Sequence, residues 1–148
     1  MNTFKSIFSG VLVAALLSFS PASVLAVQAL MVRSFTVSLS PGTSEALQSE
    51  SYTMTITNTT TNANGSSGDA DLVDITIPTG FGVTSPSVVN PNWSASVLGS
   101  TLSAVHSGNA SNKLEPGESL EITFVGQASG VNGEYTFTTQ LSKGGSVF

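Results

Sequence analysis

Apolar residues recur at every second position through most of the chain after residue 33. Phe35, Val37 and Leu39 alternate with Thr and Ser, as do Tyr52, Met54 and Ile56, and Val73, Ile75 and Ile77 follow the same rhythm. Trp93, Ala95 and Val97 form a weaker set, and Leu102 and Ala104 another. Leu120, Ile122 and Phe124 are clear, and Tyr135, Phe137 and Leu141 close the series. A period of two sends alternate side chains to opposite faces of an extended chain, so each run predicts a strand with one apolar face. The opposite face is mostly Thr and Ser. Thr suits it, because its branched Cβ favours an extended backbone and its hydroxyl meets water.

The segments between these runs carry turn chemistry. Pro41-Gly42, Asn64-Gly65, Pro78-Thr79-Gly80, Pro91-Asn92, Pro116-Gly117 and Asn132-Gly133 punctuate the alternation. Val97 to Thr101 reads as a tight hairpin, and Asn58 to Gly68 (NTTTNANGSSG) as a low-complexity loop between two strands. After residue 26 no window keeps helical spacing for three turns. About seven one-sided strands at short spacing predict an all-β fold. The expected architecture is a single immunoglobulin-like antiparallel β-sandwich spanning 27–148.

Residues 1–26 have a different character. Lys5 precedes an apolar run, Val11 to Leu17, then Pro21 breaks it and Val24-Leu25-Ala26 fits the small-residue rule for cleavage. This is the pattern of a secretory signal peptide, and the run is shorter than the roughly 20 apolar residues that span a bilayer. The mature chain is therefore expected to begin at Val27 and to be secreted, to the extracellular space or the cell surface, without a membrane span of its own.

Composition narrows the chemistry. Charged residues make up 9% of the chain, four Lys+Arg against nine Asp+Glu, for a net charge of −5. Loss of Lys5 with the signal peptide would take the net charge to −6. The missing polarity is supplied by 25 Ser and 17 Thr. With no Cys, a thiolate nucleophile, a disulfide framework and a Cys-based zinc site are excluded. With so few cations, nucleic acid is not an expected partner.

The residues that could carry chemistry are few. His106 is the sole imidazole, and no G-x-S-x-G elbow accompanies it, so it reads as an exposed loop-edge residue and no catalytic residue is expected. Asp69, Asp71 and Asp74 offer hard oxygen ligands for calcium, but their spacing lacks the D-x-D-x-D-G pattern and its distal Glu. Asp71 is expected in a loop and Asp74 on the outward face of a strand. Trp93 could stack on a sugar, yet it and the other aromatics fall on inward positions, so core packing is expected. Glu115, Glu118, Glu121 and Glu134 read as a solvated acidic face. Four N-x-[ST] sequons stand at Asn58, Asn64, Asn92 and Asn109. No cofactor is expected.

Several motifs occur in a telling order: SYTMTITNTT, DLVDITIPTGF, NWSAS, LEPGESLEITF and GEYTFTTQ, covering roughly Ser51 to Gln140. Together they resemble the immunoglobulin-like domains of secreted and surface proteins of bacteria and archaea. That resemblance implies an all-β sandwich in adhesins, stalks, surface layers or fibres, usually as one of many repeats. This chain holds one copy, which points toward a small secreted subunit. Physically, Pro116 and Gly117 make the LEPGE segment a turn. Tyr135 is expected to anchor the strand that follows, ring inward and hydroxyl at the rim.

The start of the mature chain completes the picture. Val27-Gln28-Ala29-Leu30-Met31-Val32-Arg33 is an apolar extension (27–33) ahead of the first clear strand. Val27, Leu30, Met31 and Val32 are candidates for strand donation, in which an extended segment of one subunit pairs with a sheet edge of the next. The expected function is that of a non-enzymatic structural or adhesive protein working through sheet edges, with a filament subunit as its specific form and itself or other surface proteins as partners. The alternative is an extracellular module binding carbohydrate or calcium.

Overall fold

A computed structural model describes residues 31–43, 45–61, 68–108, 113–130 and 133–148. The signal-peptide assignment, Val27 and Leu30, and the sequons at Asn64 and Asn109 lie outside the described residues.

Among the described residues nine strands form: β1 (Phe35–Ser40), β2 (Ser49–Asn58), β3 (Leu72–Thr76), β4 (Phe81–Val88), β5 (Trp93–Leu98), β6 (Thr101–His106), β7 (Ser119–Ala128), β8 (Thr138–Lys143) and β9 (Ser146–Val147). They make two antiparallel sheets, of order β1-β2-β7-β4 and β5-β6-β3-β8-β9. The sheets pack face to face as a β-sandwich. The alternating pattern explains this directly: Tyr52, Met54 and Ile56 of β2 stand in register with Phe124, Ile122 and Leu120 of β7. These six meet Val73, Ile75, Leu102, Ala104 and Leu141 from the other sheet in one core. Burial of such a two-sided apolar layer is the main force holding the sheets together.

Two strands exceed the seven expected. β4 carries Gly82, Ser85 and Pro86, which break the alternation that marks strands. Its pairing with β7 shifts register between Thr84 and Ser87, and Ser85 takes a φ of 50°. Such a bulge hides the period of two. β9 has two residues, too few to show a period.

The predicted strand through Tyr135 and Phe137 is also corrected. The ladder of β8 begins only at Thr138, opposite Thr76. Beyond Thr76 the chain turns through Pro78-Thr79-Gly80 into β4, so β3 offers residues 133–137 no partner. Tyr135 is half-buried there, with its ring on Phe81 and its hydroxyl 3.1 Å from Ser129 Oγ. Two expected turns form among the described residues. Leu98 pairs with Thr101 across Gly99-Ser100, with Gly99 at a φ of 60°. In the LEPGE turn Gly117 has a φ of 89°, and the Glu118 carboxylate accepts the Glu115 amide at 3.0 Å.

Candidate functional site

Each sheet ends in two edge strands, and the four edges differ. β4 is blunted by its bulge and by Pro86, and it lies against β5, so these two edges close one side of the sandwich. β9 is two residues long. β1 is different. Its sequence FTVSLS has no charge and no proline, and it runs in unbroken register with β2 from Phe35↔Asn58 to Ser40↔Thr53. Among the described residues its other side faces no strand of its sheet. Inward charges, Lys, Pro or bulges ordinarily protect such an edge. β1 has none of them, and Val37 at its middle is 41% exposed.

A groove of about 570 Å³ opens where β1 ends. It is lined by Leu39 and Pro41 at the end of β1, by Tyr135 and Phe137, and by Phe81 and the buried Tyr52. The rings beneath it form a continuous cluster. Phe81 lies edge-on to Tyr52 at 5.7 Å and to Phe137 at 5.2 Å, and Tyr52 stacks on Phe124 at 5.5 Å. Aromatic pairs at these separations are favourable beyond the area they bury. Gly126 of β7 makes the arrangement possible, since a Cβ there would lie 2.7 Å from both Phe81 and Tyr52.

The strand-donation candidates Met31 and Val32 lie at the opposite end of β1. Val32 makes a two-bond antiparallel bridge with Thr61 (3.1 and 3.0 Å) and is 54% exposed. Ser34 is tied to the same segment, its hydroxyl donating to the Thr59 carbonyl at 2.9 Å. The chain thus enters the domain at the end remote from the groove.

Charge divides the same way. Among the described residues the cations are Arg33, Lys113 and Lys143, all at the end where the chain enters. Lys113 donates to Asp71 at 3.0 Å, Lys143 stands 3.5 Å from Asp69, and the Arg33 guanidinium lies 4.8 Å from the centre of the Phe148 ring. At the groove end stand Glu134 in the lining and Glu45 and Glu50 beside it.

The calcium candidates do not converge. Among the described residues no group of three acidic or His side chains is placed to hold a metal ion. Asp69 is buried beside Lys143. Asp71, in the loop before β3, accepts from Lys113 and from the Gly144 amide at 3.1 Å. Burial raises the Asp71 pKa, but the Lys113 hydrogen bond, the Gly144 amide and the charges of Lys113 and Lys143 outweigh it and hold the carboxyl below its usual value. Asp74 faces outward on β3 and accepts the Ser103 hydroxyl.

Trp93 is buried, 5% exposed, so its ring cannot serve as a sugar platform. His106 sits across from it in register, ring edge against ring face at 5.6 Å. The expectation of an exposed histidine is corrected: His106 is half-buried, and its Nε2 is enclosed without a hydrogen-bond partner. Its position at the end of β6 puts it on the indole rather than in the loop.

The loop expected from Asn58 starts one residue later, since Asn58 is the last residue of β2. Asn58 is completely buried. Its Nδ2 donates to the carbonyls of Gly68 and Leu114, both at 2.8 Å, and its Oδ1 accepts the Thr60 amide at 3.0 Å. Its own amide and carbonyl bond Glu118 and Gly117. A glycan on this nitrogen is incompatible with the fold. Asn58 instead ties the loop after β2 to the turn before β7. Its position at the end of an apolar-inward run, in step with Tyr52, Met54 and Ile56, was the available signal.

Among the described residues no helix is long and apolar enough to cross a membrane. Comparison with protein-family models and with curated proteins finds no match to this chain.

Proposed function

We propose that the protein is a secreted, non-enzymatic structural or adhesive protein of the cell surface or extracellular matrix, acting by protein–protein contact through the edge of β1. The observation that carries this reading is the state of that edge: straight, uncharged and unprotected, beside an open aromatic groove. Unpaired amides and carbonyls along such a strand are a ready template for another strand. The leader-like residues 1–26 support secretion, and the order of motifs between Ser51 and Gln140 supports kinship with immunoglobulin-like surface domains.

The test is the mass of the processed protein in solution, by sedimentation and electron microscopy, with and without Val37→Lys. Val37 is exposed on the edge strand, so the substitution adds a charge to the edge without opening the core. Assembly in the wild type that is weakened at least tenfold by Val37→Lys supports the reading. A protein that neither self-associates nor retains a surface partner through β1 removes it.

A further inference from the structure

The groove and Val32, where the apolar leader joins the domain, stand at opposite ends of β1, which bears on how copies would meet. We infer that residues 27–30 of one copy occupy the groove beside Leu39 of the next, pairing along the free edge of its β1, so that copies join head to tail. This rests on the edge-contact reading above and adds the partner, a second copy, and the acceptor site.

Reach decides between a chain's own groove and a neighbour's. Val32 and Ser34 are fixed at the entry end by their bonds to Thr61 and Thr59. The six residues of β1 then carry the chain to the groove, about 20 Å away at the rise of a strand. Residues 27–31 extend at most about 17 Å, and they would have to reverse direction at the point where the chain is pinned. The segment of a mature chain therefore falls short of its own groove. Val32, where the segment joins the domain, stands at the end that, in a row of like-oriented copies, faces the groove end of a neighbour. Two different surfaces in contact make a heterologous interface, which propagates as an open chain unless the rotation closes it.

The chemistry is complementary as well. The groove offers Leu39, Pro41, Tyr52, Phe81, Tyr135 and Phe137 to Val27, Ala29 and Leu30. Cleavage after Ala26 creates an α-ammonium group at Val27, and the groove end carries Glu134, Glu45 and Glu50 with no cation among the described residues. Among the described residues β1 lacks a second neighbour, so its edge has backbone to spare.

The absence of native Cys permits a direct test in the full processed chain. Copies bearing Leu30→Cys are mixed with copies bearing Thr136→Cys in the groove lining, or Ser94→Cys on the far side of the sandwich, and oxidised. The expected result is a disulfide-linked heterodimer with Thr136→Cys formed at least fivefold faster than with Ser94→Cys. In parallel, Leu30→Asp should reduce assembly at least tenfold without changing the melting temperature. Equal cross-linking to both partners, or none, overturns the inference, as does full assembly by Leu30→Asp. If copies still associate and Val37→Lys still weakens them, the edge reading stands and only strand donation falls. If the wild type remains a monomer at every concentration, donation between copies falls, and contact of β1 with another surface protein is what is left to test.

Discussion

The ring of Phe81 lies directly over Gly126, with Cε1 and Cζ both 2.7 Å from the point a Cβ would occupy. Tyr52 crowds the same point from the neighbouring strand, and Phe81 in turn touches Tyr135 and Phe137. One absent methyl group thus sets the packing of the rings that line the groove. Gly126→Ala must push the rings apart, and overpacking of this kind costs about 1–3 kcal/mol. Denaturant unfolding should show a loss in that range together with a changed near-ultraviolet tyrosine signal. An unchanged midpoint would mean that the rings yield freely.

Asn58→Ala should be at least as damaging. It leaves the carbonyls of Gly68 and Leu114 and the amide of Thr60 without their partner inside the fold. Each buried group left unsatisfied costs about 1–3 kcal/mol. Asn58→Asp is expected to be no better, because a carboxylate faces two carbonyl oxygens. Equilibrium unfolding of both variants measures the loss, and peptide mass analysis of the folded wild type should find Asn58 without a glycan.

Asp71 makes stability depend on acidity. Its pKa in the fold lies below the ordinary value of 3.8. The unfolded chain therefore takes up this proton first, so the contribution is fully present above pH of about 4 and is lost as the pH falls through the lower, folded value. Melting temperatures measured from pH 6 down to pH 2 should fall on the acid side. Asp71→Asn should flatten part of that fall, and so should Lys113→Met, which removes a partner that lowers the folded value. Superimposable acid profiles for wild type and Asp71→Asn would contradict the role assigned to this pair.

Trp93 is the sole tryptophan, which makes it a clean probe. Buried against His106, it should emit at short wavelength, and added oligosaccharides should leave its emission unchanged. Trp93→Ala removes a large core side chain, a change that costs about 3–5 kcal/mol. A glycan-dependent shift in the emission would place the indole at a binding surface instead.

Most of the strands were legible because alternation is a local property. Tyr52, Met54 and Ile56 need only the pleat to share a face, and Gly99 and Gly117 need only their own dihedral freedom to make turns. β4 was hidden because a bulge between Thr84 and Ser87 interrupts the period. The end of β8 at Thr138 was hidden because a strand stops where its partner leaves, and that partner, β3, lies some sixty residues earlier in the chain. The candidate site was legible in half: the apolar leader was visible as residues, the groove was not.

By itself, then, the sequence determined the two-faced strands, the turns between them and the all-β class, since each follows from residues within a few positions of one another. Only the tertiary structure decided which strands became edges, that Lys113 and Lys143 stand beside Asp71 and Asp69, that Asn58 is a buried tie, and that Leu39 and Tyr135 line one groove. Those depend on which distant segments pair, and strand order is set by the packing of the whole apolar layer, which no single stretch of the chain encodes.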